Sequence, residues 1–273
     1  MEETPKTSQN AISTQISITQ KIWREIKRPF RQLFGSSQHI NPSCVYNKGI
    51  PREGIKYIGN DEFGITCINN LMQRQQKLGY AQHPDTIVTN QSVGKYFILD
   101  AKRIANVGSG IGAFEYNIAT KYPDILFVAS EFGTGMTEWC KQNRPLHNVI
   151  YCSDDIDTLQ QTYGKFDLAV NINVIEHIKD YGLFLSKFVQ LADRAVVTTP
   201  NRDANSYRHI AEWQAPINKE HVYEFNAGEL YFLLKAFYKN VELYTLPDLD
   251  KPELIPIGIY SSHSMLFAHC NNN

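Results

Sequence analysis

A chain of 273 residues can bury a full core and exceeds the common single-domain size, which suits one large domain with an appendage. With 42% hydrophobic residues, 20% charged residues and a net charge of −1, its composition is that of an ordinary soluble protein. This charge excludes a general attraction to nucleic acid or anionic membranes, so either partner would need a local basic patch.

The five cysteines, Cys44, Cys67, Cys140, Cys152 and Cys270, are scattered, odd in number and form no C-x-x-C pair. They argue against a disulfide framework and against a thiolate zinc site. No stretch approaches the ~20 apolar residues of a membrane span. Met1 to Asn10 lack the basic and apolar regions of a signal peptide. A cytoplasmic setting is expected.

Residues 1–20, rich in Ser, Thr and Gln, read as a flexible tail. Residues 21–34 place Ile22, Trp23, Ile26, Phe30 and Leu33 on one helical face, with Lys21, Arg24, Lys27, Arg28 and Arg31 as cationic neighbours. Pro29 should bend or end that helix. Docking on the protein's own core is the expected use, and peripheral contact with a membrane surface is the second. Turn signals at Asn41-Pro42, Lys48-Gly49, Gly59-Asn60 and His83-Pro84 flank a helical pattern from Gly64 to Leu78. The whole of 21–100 reads as a mainly helical extension with no chemistry of its own.

From residue 101 to 273, short apolar runs alternate with amphipathic ones: RIANVGS and FEYNIATKY, ILFVAS and GMTEWCKQN, NVIYCS and IDTLQQTY, FDLAVNIN and YGLFLSKFVQLA, then RAVVTTP. A helix at about Ala227 to Lys239 and strands near 240–246 and 262–268 follow. Seven strands alternating with helices predict an α/β, Rossmann-like, mostly parallel sheet covered by helices on both faces.

Gly108-Ser109-Gly110-Ile111-Gly112 follows an apolar strand and opens a helix. Glycine permits the tight turn and lets backbone approach a ligand, and the helix start directs free N–H groups toward it. Glu131 ends the second strand, where a carboxylate can accept two hydrogen bonds from a ribose diol. Asp154 and Asp155 end the third, where one of them can accept from an adenine amino group while Ile156 covers the ring. The residues alone leave open which Asp does so. An NAD site would also use an acid at the second strand, but its glycine pattern is G-x-G-x-x-G and it needs no acids after strand three.

Together these residues resemble the class I S-adenosylmethionine-dependent methyltransferases over about residues 95–270. RIANVGSGIG matches the family's first motif, Glu131 its ribose-binding acid and SDDI its adenine segment. FDLAVNINVIEHI, which contains Asn171, matches the fourth strand. The resemblance implies an antiparallel final strand and S-adenosyl-L-methionine as cofactor. It implies cofactor contacts from Asn106, Gly108, Ser109, Gly110, Gly112, Glu131, Asp154, Asp155, Ile156 and Asn171. One departure is Asn106, where the family usually carries an acid that favours the cofactor's ammonium group.

Methyl transfer from a sulfonium is an in-line displacement in which alignment dominates, and a hydroxyl acceptor gains from a histidine base. His177 follows the fourth strand, and His221 lies in the long connection Asn201 to Phe225 with Arg202, Asp203, Tyr207, Arg208, His209, Trp213 and Tyr223. VIEH…TTPNRDAN…EHVYEF is similar to the ubiquinone-pathway O-methyltransferases and the small-RNA 3′-terminal 2′-O-methyltransferases. In those groups a Glu-x-x-Glu-His pattern can hold a divalent metal. Glu176, His177 and His221 match it, but the first Glu is Asn173 here, so no metal is expected. The expected function is methylation of a small-molecule or glycan-type acceptor at oxygen, with His177 or His221 as base. An RNA 2′-O-methyltransferase with a metal, and a non-catalytic methyltransferase-like interaction module, are the alternatives.

Overall fold

The computed structural model describes residues 73, 79–204, 221–248 and 250–273. The amphipathic segment 21–34, most of the helical pattern at 64–78, and Tyr207, Arg208, His209 and Trp213 lie outside them.

Helix α1, Pro84–Phe97, starts at the His83-Pro84 signal, with proline at the first helical position where its missing N–H costs nothing. The alternation then proceeds as β1 Arg103–Val107, α2 Ala113–Ile118, β2 Leu126–Ser130, α3 Thr134–Asn143, β3 Val149–Cys152, α4 Ile156–Tyr163, β4 Leu168–Ile172, α5 Tyr181–Leu191, β5 Arg194–Pro200, α6 Ala227–Lys235, β6 Asn240–Thr245, β7 Ile255–Pro256 and β8 Met265–Asn271. Side-chain caps set three of these helix starts. Asp155 accepts from Thr158 N at 2.8 Å and Asp180 from Leu183 N at 2.9 Å. Asn226 and Glu229 form a reciprocal capping box.

The sheet order is β3-β2-β1-β4-β5-β8-β6-β7. The first five strands are parallel, and β8 lies between β5 and β6, antiparallel to both. The sheet has one strand more than the seven expected. The two-residue β7 pairs with β6 at the edge, where Pro256 limits further pairing. Helix α6 ends at Lys235, short of the expected Lys239, as the chain turns to bury Tyr238.

Period-2 alternation sends side chains to two cores. Ala105, Ala169, Ala195, Val197 and Ala268 face one side, with Leu159 of α4, Leu185 and Phe188 of α5, and Leu230 and Leu234 of α6. Ile104, Leu168, Val170, Val196 and Phe267 face the other, with Val93 and Phe97 of α1 and Phe114 and Ile118 of α2. Helix α1 therefore packs on the sheet itself. Its end is tied to β5 by Arg194, which donates to Phe97 O at 2.9 Å and pairs with Asp100 at 2.6 Å.

Phe188 is fully buried between α5 and the sheet, whereas Phe232 on α6 is 64% exposed. Phe188→Ala should cost about 3–5 kcal/mol through lost transfer energy and the cavity left behind. Phe232→Ala should cost less than about 0.5 kcal/mol. Urea unfolding of both variants checks the assignment of the inner face of the second helical layer.

Candidate functional site

The strand order reverses between β1 and β4, so the segments leaving their carboxyl ends diverge and open a crevice. A cavity of about 360 Å³ lies there, lined by the ends of β1 to β4 and by α1 and α5.

The glycine turn forms its floor. Gly108, Gly110 and Gly112 all have positive φ, at 81°, 55° and 65°. At Gly108 the constraint is also steric, because a Cβ would meet both methyls of Val174 at 2.7 Å. At Gly112 it would meet Tyr151 Cε1 at 2.9 Å. Two carboxylate contacts then fix the turn to the second strand's exit. Glu131 accepts from Gly110 N at 2.8 Å through one oxygen and from Gly133 N at 3.2 Å through the other. Burial raises its pKa, and these N–H donors oppose the rise. A carboxylate has about four lone-pair sites, so Glu131 keeps capacity for a diol.

Of the residues read from the sequence, Asn106, Gly108, Ser109, Gly110, Glu131, Asp154, Asp155, Ile156 and His177 line this one cavity. Gly112, Asn171 and His221 do not. Gly112 is the left-handed cap of α2, under Tyr151. Asn171 is fully buried and donates to Val107 O at 2.9 Å, tying β4 to the end of β1. The pair of acids after β3 also separates. Asp155 is engaged by the start of α4, whose Thr158 N–H holds its pKa below the ordinary carboxylate value.

Residues that no motif announced complete the wall. Tyr80, Thr86, Thr89 and Asn90 come from α1 and the turn before it, a stretch the sequence reading gave no chemistry. Burial raises the Tyr80 phenol's pKa, opposed by hydrogen bonding to Asn173 and Thr86. Phe132, Val174, Ile178, Leu183 and Phe184 supply apolar surface. The only pointer to the first group was the His83-Pro84 turn, a signal of local structure alone.

Behind the turn lies a buried carboxylate. Glu115 of α2 is fully buried and accepts from Asn106 Nδ2 at 2.8 Å. Burial pushes its pKa up to about 7, opposed by Asn106, its own backbone and Arg144. The neighbouring Cys140 thiol, also buried, is pushed up to about 12.

At the other end of the crevice, Glu176, His177 and His221 bring potential ligand atoms within 4.8 Å of one another. The two imidazole rings meet edge to face at 4.9 Å between centroids. His221 Nδ1 is 3.1 Å from Glu224 Oε1, and Val222 and Tyr223 donate backbone N–H groups to Glu176 O. These bonds bring the segment after β5 back against the segment after β4. Glu176 is 1% exposed, and both carboxylate oxygens are buried without a hydrogen bond among the described residues. Burial pushes its pKa up to about 7, with His221 opposing. Asn173 has a positive φ of 54° and accepts from the Thr198 hydroxyl at 3.1 Å.

A family model described as a methyltransferase domain matches residues 72–242. No protein of curated function matches the sequence. Among solved structures, plantazolicin methyltransferase BpumL in complex with S-adenosylhomocysteine is similar at a TM-score of 0.53 and 12% identity, over 78% of this chain and 91% of that one. The same protein with a triazolic desmethylPZN analogue gives 0.54 at 12% identity, over 76% and 91%. The methyltransferase domain of bacterial CtHen1 gives 0.47 at 16% identity, over 72% and 98%. At 12% identity the likeness to BpumL is one of fold.

Two outcomes follow from the geometry. Gly108→Ala forces a left-handed alanine, at about 1–3 kcal/mol of backbone strain, and displaces Val174. It should lower the thermal midpoint and weaken nucleoside binding together, as melting curves with and without S-adenosylhomocysteine would show. The second concerns Glu115, whose pKa rises from an ordinary 4.5 to about 7 on folding. Between those values the folded state keeps a proton that the unfolded chain has lost, so stability falls as pH rises through the window. Thermal melts of the ligand-free protein across that window should show the decline, and Glu115→Gln should make it shallower, leaving the share of Glu176, which burial raises over the same window.

Proposed function

Because the chain belongs to the methyltransferase-domain family and is a class I S-adenosylmethionine-dependent methyltransferase, we propose that it methylates an oxygen of a small-molecule or glycan-type acceptor, with His177 as the base. The charge of the cavity carries this reading. Among the described residues, its wall holds five carboxylates, from Glu131, Asp154, Asp155, Asp157 and Asp180, against one lysine, Lys187, which pairs with Asp157. A polyanion such as RNA would be repelled from such a wall. Arg202, in the connection after β5, pairs with Glu229 at 2.9 Å, so its charge is already met.

In this reading Glu131 holds the cofactor's ribose. Asp154 receives the adenine amino group, since Asp155 caps α4, and Ile156 covers the ring. His177 faces the acceptor from the sheet edge, and His221, oriented by Glu224, packs behind it and supports its ring. The apolar side chains of Phe132, Val174, Ile178, Leu183 and Phe184 exclude water around the sulfonium, which aids alignment and strengthens nearby electrostatics.

A second reading has its own observation. The buried Glu176 oxygens, which accept no hydrogen bond among the described residues, lie beside His177 and His221 and fit a divalent cation, with Glu224 as the outer partner that orients His221. Such an ion would supply Lewis-acid polarisation of the acceptor hydroxyl. Asn173 offers only an amide oxygen already engaged by Thr198, so the ligand set is poorer in charge than Glu-x-x-Glu-His.

Transfer of labelled methyl from S-adenosylmethionine to small phenolic and glycan hydroxyls, in parallel with RNA 3′ ends and with or without chelator, tests both readings. Chelator-resistant labelling of small acceptors is expected; chelator-sensitive labelling of RNA alone would replace the first reading with the second. Glu131→Ala should weaken S-adenosylhomocysteine about tenfold or more, as loss of a charged acceptor does. His177→Ala should lower turnover while cofactor affinity stays near that of the parent, which separates a base from a cofactor contact.

A further inference from the structure

The family's usual acid two residues before the first glycine is Asn106 here, yet a carboxylate stands directly behind it. Asn106 and Glu115 are 2% and 0% exposed, on β1 and α2. Asn106 Nδ2 donates to Glu115 Oε1 at 2.8 Å, while Asn106 Oδ1 is buried and has no hydrogen-bond partner among the described residues. In its ionised form, which a bound ammonium favours, the Glu115 carboxylate can only accept, so it requires the amide nitrogen to face it. The amide oxygen is thereby turned away from Glu115, on a residue that lines the cavity beside Gly108 and Gly110.

A second orphan has the opposite sense. Asn90 of α1 also lines the cavity, is 1% exposed, and has an Nδ2 without a partner. A buried unpaired acceptor and a buried unpaired donor each carry a desolvation penalty until a ligand meets them. Together they suit a zwitterion: the acceptor takes an ammonium and the donor takes a carboxylate. The amino-acid end of S-adenosylmethionine has that chemistry.

We propose that Glu115 is a positioning residue that holds the Asn106 carbonyl oxygen toward the cofactor's ammonium group, while Asn90 receives its carboxylate. The Asn106–Glu115 pair thus replaces a direct acid by an acid acting through an amide. The negative charge stays within one hydrogen bond of the group that needs it, and the amide supplies the contact. Glu115 is faced by Asn106 from β1, Arg144 after α3, Cys140 from α3 and Tyr151 from β3. Of these only Arg144 is cationic, and a bound ammonium adds a second influence that favours the ionised form.

Calorimetric titration of the full chain with S-adenosylhomocysteine and with 5′-methylthioadenosine, which lacks the amino-acid end, tests the proposal. Glu115→Gln keeps the shape but can donate to Asn106 Oδ1, so the amide loses its enforced orientation. S-adenosylhomocysteine should then bind about tenfold or more weakly, the effect of a lost hydrogen bond to a charged group, with 5′-methylthioadenosine unchanged. Adding Asn106→Asp to Glu115→Gln moves the charge across the same hydrogen bond and should restore S-adenosylhomocysteine affinity. Asn90→Ala should show the same selective loss. Equal weakening of both ligands by Glu115→Gln, unchanged affinity for S-adenosylhomocysteine, or no recovery in the double variant would each overturn the role of Glu115. A parent chain that binds neither ligand would overturn the cofactor assignment with it.

Discussion

The site depends on how closely the turn after β1 approaches the segment after β4. Gly108 has no space for a Cβ against the methyls of Val174, and its φ of 81° is one that other residues adopt only under strain. With the two segments this close, the backbone N–H groups at the start of α2 face the same crevice as Asn173 and His177. The Gly110 N–H meets Glu131 from the next strand, so one carboxylate joins the exits of β1 and β2. Moving this turn would pull apart the strand ends that line the cavity.

Buried charge is distributed along the crevice with a consistent logic. Glu115 lies behind the glycine turn and Glu176 beside His177, both buried and both pushed up to about 7. Neither belongs to the set of carboxylates that directly lines the cavity. Each adjoins a residue that does line it: Glu115 bonds to Asn106, and Glu176 precedes His177 in the same short turn. Removing such carboxylates from water is costly, and a stable hydrophobic substitute would be easier to build. In the proposed reading the first serves a cationic cofactor and the second a histidine.

The fold shared with methyltransferases at 12% identity rests on the alternation of buried strand faces and on the turn, both of which tolerate wide exchange of side chains. Asn106 and Asn173, the two positions where the sequence departs from the motif patterns it resembles, are both held by hydrogen bonds from this chain's own structure. Asn106 is fixed by Glu115 and Asn173 by Thr198. An amide that loses charge can keep directional bonding only when something orients it.

The regular part of the chain was legible from its pattern. The alternation after residue 101 yields the strands and helices, because period-2 and period-3.6 burial are local properties of the backbone. The glycine turn, Glu131 and the acids after β3 were legible because each sits at a strand end, and parallel strands bring their ends to one edge. Three matters were decided only in three dimensions. Asp155 became a helix cap while Asp154 did not, though both line the cavity, a distinction that depends on where α4 begins. Asn171 turned into the sheet to meet Val107, since alternation along β4 was right while the facing partner was unknown. Tyr80 and Asn90 entered the wall, and Glu115 came to stand behind Asn106, through packing of α1 and α2 on the sheet. Sequence pattern determined which residues lie on strands and at their ends. Tertiary packing decided which side chains meet, because an orphaned donor, an oriented amide or a buried acid exists only where distant segments exclude water together.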